Sequence, residues 1–270
     1  MKARIEHFAL WYYTLFILFF GVRVYNGLTL VQLQNPDIYI PRQDPLLWLW
    51  QSFEIPALMT GNLALGFDLL VLALAIAACF LAYKRKQNQI LNFVFLLVLW
   101  SYILTVFAYP SLSVRKYLGL SIIPILFLLR ESRQVYFWEL LRYYVLFIFS
   151  SSALWKVCRG SFLNSGQMQA IVEGQVAANV VHYPEAWYTK AGVWLLSNPE
   201  LLDPLFILAT VMQLAFLIGF FTKRYDRILA ALMVLFIVCD YWVMRIEYWE
   251  FLIFLPFLWW KPVKEGNLSY

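Results

Sequence analysis

The stretch LALGFDLLVLALAIAACFLAY, residues Leu63–Tyr83, decides the class of fold. It is an almost unbroken apolar run that carries a single charged side chain, Asp68. The hydrocarbon core of a bilayer is about 30 Å thick, and a helix of roughly 20 apolar residues crosses it. This stretch therefore predicts a membrane-spanning helix.

Seven further apolar segments predict helices of the same kind. In chain order they are Phe8–Leu28, Ile90–Tyr109, Tyr117–Leu129, Val135–Val157, Leu202–Phe221, Arg227–Met244 and Tyr248–Trp260. The short fourth and eighth spans contain Pro124 and Pro256, which we expect to kink them. With 63% hydrophobic and 14% charged residues, the chain is typical of a polytopic membrane protein. We predict an all-α bundle of about eight transmembrane helices, forming one domain over residues 1–270.

The basic residues predict the orientation of these helices, because Lys and Arg accumulate on the cytoplasmic side of a membrane. If all eight spans form, most of the basic clusters fall on one side. They are Lys2 and Arg4, Lys84–Lys86, Arg130 and Arg133, Lys223, Arg224 and Arg227, and Lys261 and Lys264. We therefore expect a multi-pass protein of the bacterial inner membrane with both termini in the cytoplasm.

The two longest connections, Thr29–Asn62 and Cys158–Leu201, then lie on the outer side. Each contains an apolar segment with tryptophan, Pro45–Phe53 in the first and Ala191–Leu196 in the second. Such segments predict interfacial or re-entrant helices that cap the bundle.

Composition argues against two other classes of site. The net charge of +5 does not indicate nucleic-acid binding, because the basic residues are grouped beside apolar spans. The three cysteines have no CxxC spacing and the two histidines are far apart, so no metal site is predicted. Cys158 and Cys239 both fall toward the outer face, which leaves a disulfide and two free thiols as alternatives.

Lys156 ends the fifth predicted span at the outer face, and Ser152 precedes it by one helical turn. Ionisable groups within a membrane are costly and mark functional sites. A neutral lysine amine is a competent base. The alternative is a structural lysine whose ammonium group extends to the lipid headgroups.

Asp240 lies in the outer half of the seventh span, where an isolated carboxylate needs a partner. Arg245, Lys156 and Arg23 are the available cations at a similar depth. Glu247 and Glu250 begin the eighth span, where they either join this site or form a wetted helix N-terminus. We predict Lys156 and Asp240 as catalytic residues, and Ser152, Arg245, Glu247 and Glu250 as substrate-binding residues.

Several other polar or charged residues lie within the predicted spans and are not among the predicted site residues. Asp68 is also on the outer side, at a depth from which it could join the same cluster. Gln213, in the middle of the sixth span, is expected to form an interhelical hydrogen bond. Glu139 and Arg142, three residues apart on the inner side, predict an intrahelical ion pair.

The segment FSSSALWKVCRGSFLNSGQM, Phe149–Met168, resembles a motif of the vitamin K-dependent γ-glutamyl carboxylases and the wider horizontally transferred transmembrane (HTTM) family. The matching positions are Ala153, Lys156, Phe162 and Gly166. Residues Leu201–Arg227 resemble the family's next helix, and the span that follows resembles its successor. The family often has glutamate at Gln213, histidine at Asp240 and tryptophan at Phe162. The carboxylases also carry a large extramembrane domain, which we do not expect within residues 1–270.

The resemblance implies a chemistry for Lys156. In the carboxylases the matching lysine deprotonates a reduced quinone, whose oxygenation yields a base that removes a proton from a glutamate side chain. A quinone diffuses within the bilayer, while a peptide substrate arrives from the outer side. The resemblance thus implies a reduced quinone as cofactor and a peptide or protein as partner.

Two other classes of function stay open. One is a non-catalytic membrane component that serves peptide maturation, export or immunity, or a subunit of a larger membrane complex. The other is a transporter, which is less favoured because the sequence shows neither an inverted repeat nor paired broken helices.

Overall fold

The computed structural model describes residues 2–32, 49–50, 52–61, 63–86, 88–108, 121–161, 164, 166–244 and 248–260. Within these ranges the regular secondary structure is helical, without a strand. The α-helices are α1 (Lys2–Tyr25), α2 (Ile55–Thr60), α3 (Ala64–Tyr83), α4 (Gln89–Ala108), α5 (Pro124–Leu128), α6 (Glu131–Cys158), α7 (Gln167–His182), α8 (Trp187–Leu196), α9 (Leu202–Leu214), α10 (Ile218–Phe221), α11 (Asp226–Met244) and α12 (Leu255–Trp259).

Four helical segments of the described chain are long and apolar enough to cross a membrane. They are Arg4–Tyr25, Ala64–Tyr83, Gln89–Val106 and Pro199–Phe221. The last combines a 3-10 turn with α9, the 3-10 turn Ala215–Leu217 and α10. The prediction of an all-helical fold with membrane-spanning helices is confirmed for four helices. The predicted total of eight spans stays a prediction.

The two predicted spans that contain proline have a different form from the one expected. Pro124 begins α5, and Pro256 lies in the first turn of α12, which follows the 3-10 helix Trp249–Phe254. The first turn of a helix tolerates proline, since an N–H group there has no intrahelical acceptor. Pro124 follows a turn at Ile123, and Pro256 lies within the helical run Trp249–Trp259, so the expected kinks stay a prediction. Residues 117–120 of the fourth predicted span lie outside the described residues.

The described residues form two compact units, one extending to Trp138 and one beginning at Glu139. The boundary falls within α6. The prediction of a single domain over residues 1–270 stays a prediction.

In the first unit, α1 packs against α3, and α3 packs against α4. The buried face of α3 is built largely from alanine, since it consists of Ala64, Asp68, Val71, Ala75, Ala78 and Ala82. Small side chains let neighbouring helices approach closely in a membrane. The aromatic rings of α1 meet those of other helices, as where Tyr13 lies edge-on to Phe95 with ring centroids 5.4 Å apart.

Asp68 has a structural role in this first unit. Its carboxylate accepts hydrogen bonds from the backbone N–H groups of Leu30 at 3.1 Å and Val31 at 2.9 Å, and from the Tyr102 hydroxyl at 2.7 Å. The side chain is buried, so these three donors compensate the cost of removing the carboxylate from water. The bonds fix the turn that follows α1. That Asp68 also joins the predicted functional cluster stays a prediction.

In the second unit, α7 and α8 pack as a hairpin, and α7 also packs against α9 and α11. Met168, Val172 and Val176 of α7 share a buried cluster with Leu202 and Phe206 of α9. The predicted helix at residues 191–196 is part of α8. Helix α7 was not predicted, although its buried apolar residues recur every fourth position, which is the spacing of one helix face.

Candidate functional site

Helix α6 carries Lys156 in its last turn, within the second unit. The amine Nζ donates a hydrogen bond to Gln213 Oε1 at 2.9 Å. It also lies 5.1 Å from the ring centroid of Phe206. Both partners belong to α9, so the half-buried lysine is held against a neighbouring helix.

The face of α9 that receives Lys156 is defined by helical spacing. Phe206, Thr210 and Gln213 are all buried and follow one another at intervals of four and three residues. The Thr210 hydroxyl donates to the Phe206 carbonyl oxygen at 2.8 Å, within its own helix. Gln213 therefore supplies the side-chain acceptor for the lysine, and the predicted interhelical hydrogen bond of Gln213 is confirmed.

Asp240 of α11 is buried and close enough to Lys156 to interact with it electrostatically. It interacts in the same way with Tyr248. In the part of the chain that the structure describes, no carboxylate oxygen lies within 4.0 Å of Lys156 Nζ. The two residues predicted as catalytic thus lie near each other, with the Asp240 carboxyl group close to the amine but not in direct contact.

Aromatic side chains pack next to this polar group. The Phe149 ring stacks on that of Phe216, with centroids 4.5 Å apart and an angle of 16° between the planes. It also meets the edge of Phe251, whose ring lies 5.8 Å from that of Tyr248. Phe149 precedes Lys156 by seven residues, or about 10 Å along the helix. This cluster keeps the neighbouring part of the helix apolar.

Of the four predicted substrate-binding residues, the structure describes Ser152 and Glu250. Ser152 is half-buried on α6, one turn before Lys156, and Glu250 is half-buried in the first turn of the 3-10 helix Trp249–Phe254. Arg245 and Glu247 lie outside the described residues. Cys158 and Cys239 are exposed free thiols in this structure.

Two contacts of the site were not predicted, namely the rings of Phe206 and Tyr248. Phe206 and Gln213 are seven residues apart, a spacing that places them on one helix face. That pattern was available in the sequence. The position of Tyr248 depends on how the C-terminal segment packs, for which the sequence has no comparable pattern.

A second charged cluster lies toward the other end of α6. Arg142 donates to both carboxylate oxygens of Asp226, from Nε at 2.7 Å and from Nη2 at 2.6 Å, and Nη2 also donates to the Gly219 carbonyl at 2.8 Å. Glu139 pairs with Lys223 at 2.8 Å. The predicted Glu139–Arg142 ion pair is therefore wrong. Glu139 pairs instead with the connection between α10 and α11, and Arg142 pairs with the first turn of α11.

Comparisons of this chain with protein-family models, with curated proteins and with solved structures find no match. The family resemblance therefore rests on the motif in Phe149–Met168 and on the helix pattern that follows it.

Proposed function

We propose that this chain is a multi-pass membrane enzyme in which Lys156 acts as a base on a lipid-soluble, reduced quinone-like substrate. The observation that carries the proposal is the position of the Lys156 amine, which is held at 2.9 Å by the neutral side chain of Gln213. The resemblance of residues Phe149–Met168 to the vitamin K-dependent carboxylases supplies the substrate class. A peptide that approaches from the outer side is the expected second substrate.

The choice of partner matters for proton transfer. A carboxylate in direct contact, as the family's frequent glutamate at this position would supply, favours the ammonium form of a lysine. Gln213 orients the amine without adding a charge. When the amine takes a proton from a quinol hydroxyl, the quinol oxygen becomes an anion and the new ammonium ion is stabilised by nearby Asp240. Proton transfer of this kind needs a base within hydrogen-bonding distance of the substrate.

The proposed topology extends the four apolar helices to eight spans with both termini in the cytoplasm of a bacterium. Helices α6 and α11 would supply two of the further spans. Their lengths, 28 and 19 residues, support this, since about 20 residues are needed to cross the hydrocarbon core. The distribution of the basic clusters supports the orientation.

The test measures quinol-dependent consumption of dioxygen by the purified protein in lipid nanodiscs, with a short-chain reduced naphthoquinone as the probe. We expect consumption above that of empty nanodiscs. Lys156→Met should abolish it, because methionine keeps most of the length of the side chain and removes the base. Lys156→Arg should also abolish it, because arginine stays protonated in proteins.

Lys190→Met is the matched control, since Lys190 is exposed and pairs with Glu185 at the surface. It should retain full activity. Thermal unfolding of each variant establishes that the fold is intact. The proposal is refuted if the wild-type protein consumes no more dioxygen than empty nanodiscs, or if a folded Lys156→Met variant is as active as wild type.

A non-catalytic role is the competing proposal, and one observation favours it. The Lys156–Gln213 hydrogen bond joins α6 to α9, which a purely structural lysine would also do. On this alternative, Lys156→Arg keeps the interhelical bond and the stability of the fold, and no variant affects dioxygen consumption. Lys156→Arg therefore separates a base from a structural cation.

A further inference from the structure

Four of the exposed tryptophans of the second unit lie on three of its helices. Trp155 is on α6, Trp187 and Trp194 are on α8, and Trp242 is on α11. Between 52% and 60% of each residue's surface is exposed. Exposed aromatic rings of this size are unfavourable in water, since each carries a large apolar surface. They therefore indicate a surface that something covers.

These tryptophans lie at the same end of the second unit. Trp155 is near the end of α6, and the adjacent Lys156 interacts electrostatically with Asp240, which lies two residues before Trp242 on α11. The rings of Trp187 and Trp242 are 4.9 Å apart, which joins the start of α8 to the end of α11. The end of α6, helix α8 and the end of α11 thus form one continuous margin.

The chain itself connects this margin to a membrane boundary. The apolar segment Pro199–Phe221, which is long enough to span a membrane, begins three residues after the end of α8 at Leu196. Two polar side chains close the end of α8, as Ser197 Oγ donates to the Val193 carbonyl and Asn198 Nδ2 donates to the Trp194 carbonyl. Helix α8 therefore lies where the chain enters the membrane.

Basic side chains occur among the tryptophans. The guanidinium carbon of Arg159 lies 4.1 Å from the ring centroid of Trp155. Lys190 of α8 lies between Trp187 and Trp194 in sequence and is exposed. Cations next to amphipathic aromatic rings match the lipid headgroup region, where phosphate groups are adjacent to the first part of the acyl chains.

We propose that Trp155, Trp187, Trp194 and Trp242 form a belt that sits in the lipid headgroup region, with α8 lying along the membrane surface. This tryptophan belt fixes the depth of the second unit in the bilayer. It depends on the chain being a membrane protein and is independent of the chemistry of Lys156. Lys156 follows Trp155 in sequence, and its amine reaches from the belt to Gln213 within the apolar segment Pro199–Phe221.

The experiment measures the depth of each tryptophan by fluorine NMR. The full-length protein is labelled with fluorotryptophan and placed in phosphatidylcholine nanodiscs, and each signal is assigned from its loss in a Trp→Phe variant. Spin-labelled lipid is then added, with the label either on the headgroup or at the end of an acyl chain. Signals lose intensity according to their proximity to the label.

We expect the four belt signals to lose more intensity with the headgroup label than with the chain-end label. Trp100, near the middle of the apolar helix α4 and exposed, should show the reverse. Trp138 is buried and should keep its intensity with both labels. The proposal is overturned if the belt signals behave like that of Trp100, or if neither label affects them. The experiment uses no quinol, so its outcome is separate from that of the proposed enzymatic function.

Discussion

Replacement of Arg142 by methionine tests the strongest charge interaction in the second unit. Arg142 and Asp226 form a two-pronged ion pair, and their side chains are 3% and 10% exposed. Methionine fills most of the same volume but leaves the Asp226 carboxylate buried without its cation. Removal of one partner from a buried pair costs about 3–5 kcal/mol, because the remaining charge is uncompensated.

Two features of Arg142 change the expected loss of stability, one raising it and the other lowering it. Arg142 Nη2 also donates to the Gly219 carbonyl at 2.8 Å, so the substitution leaves a second acceptor unpaired and adds to the loss. Among the described residues, however, Arg142 Nη1 is buried without a hydrogen-bond partner. The native pair is therefore not fully compensated. We accordingly expect a loss of about 3 kcal/mol, at the lower end of the range for a buried pair.

The free energy of unfolding is measured in mixed micelles by titration with a denaturing detergent, followed by circular dichroism. Lys223→Gln is the control, because it removes the partly exposed pair with Glu139, which should cost about 0–1 kcal/mol. The double variant Arg142→Met/Asp226→Leu should be more stable than Arg142→Met alone, since it buries no unpaired charge. The reasoning is refuted if Arg142→Met costs no more than Lys223→Gln, or if the double variant is less stable than the single one.

Two further substitutions test the packing of each unit by the same unfolding measurement. Gly192→Ala should cost about 1–3 kcal/mol by overpacking, since a Cβ atom there would lie 2.3 Å from Val176 Cγ2. The control Gly174→Ala, in open space on α7, should be neutral or stabilising. Equal effects of the two substitutions would contradict the close packing at Gly192. Asp68→Ala should cost about 1–3 kcal/mol for each buried donor left without an acceptor. Tyr102→Phe removes only one of the three hydrogen bonds that Asp68 accepts, so it should cost less than Asp68→Ala. A larger loss for Tyr102→Phe would contradict the structural role assigned to Asp68.

The uninterrupted apolar runs were the most predictable part of the fold. Residues Leu63–Tyr83 were predicted as a helix, and α3 covers Ala64–Tyr83. Within such a run nearly every residue favours burial in lipid, so the helix depends little on tertiary contacts. Helix α7 was missed because glutamine, glutamate and glycine separate its apolar positions and its stability depends on packing against α8 and α9. Local composition does not reveal such a helix, although its four-residue spacing does.

The sequence predicts which charged residues belong to the site, but it does not predict which side chains contact them. Lys156 and Asp240 were recognisable because ionisable groups are costly in an apolar helix. The acceptor for Lys156 depends on the rotation of α9 about its axis, which decides whether Gln213 faces α6. That rotation is set by the packing of Phe206 and Leu202 against α7, a property of the tertiary structure. Sequence spacing therefore gives the face of a helix but not the neighbour it meets.

The two interior cations of α6 have partners of different kinds, and this difference supports different roles. Arg142 and Lys156 are separated by about 21 Å along the helix. Arg142 binds a carboxylate with two hydrogen bonds, so its charge is compensated and does not need to change. Lys156 is hydrogen-bonded to a neutral amide, with Asp240 near but not in contact. A direct ion pair must be broken before its cation exchanges a proton, whereas an amide acceptor holds the amine in either protonation state. If Gln213→Leu, which removes the amide acceptor, left quinol-dependent dioxygen consumption unchanged, this role of the amide in holding the Lys156 amine would be wrong.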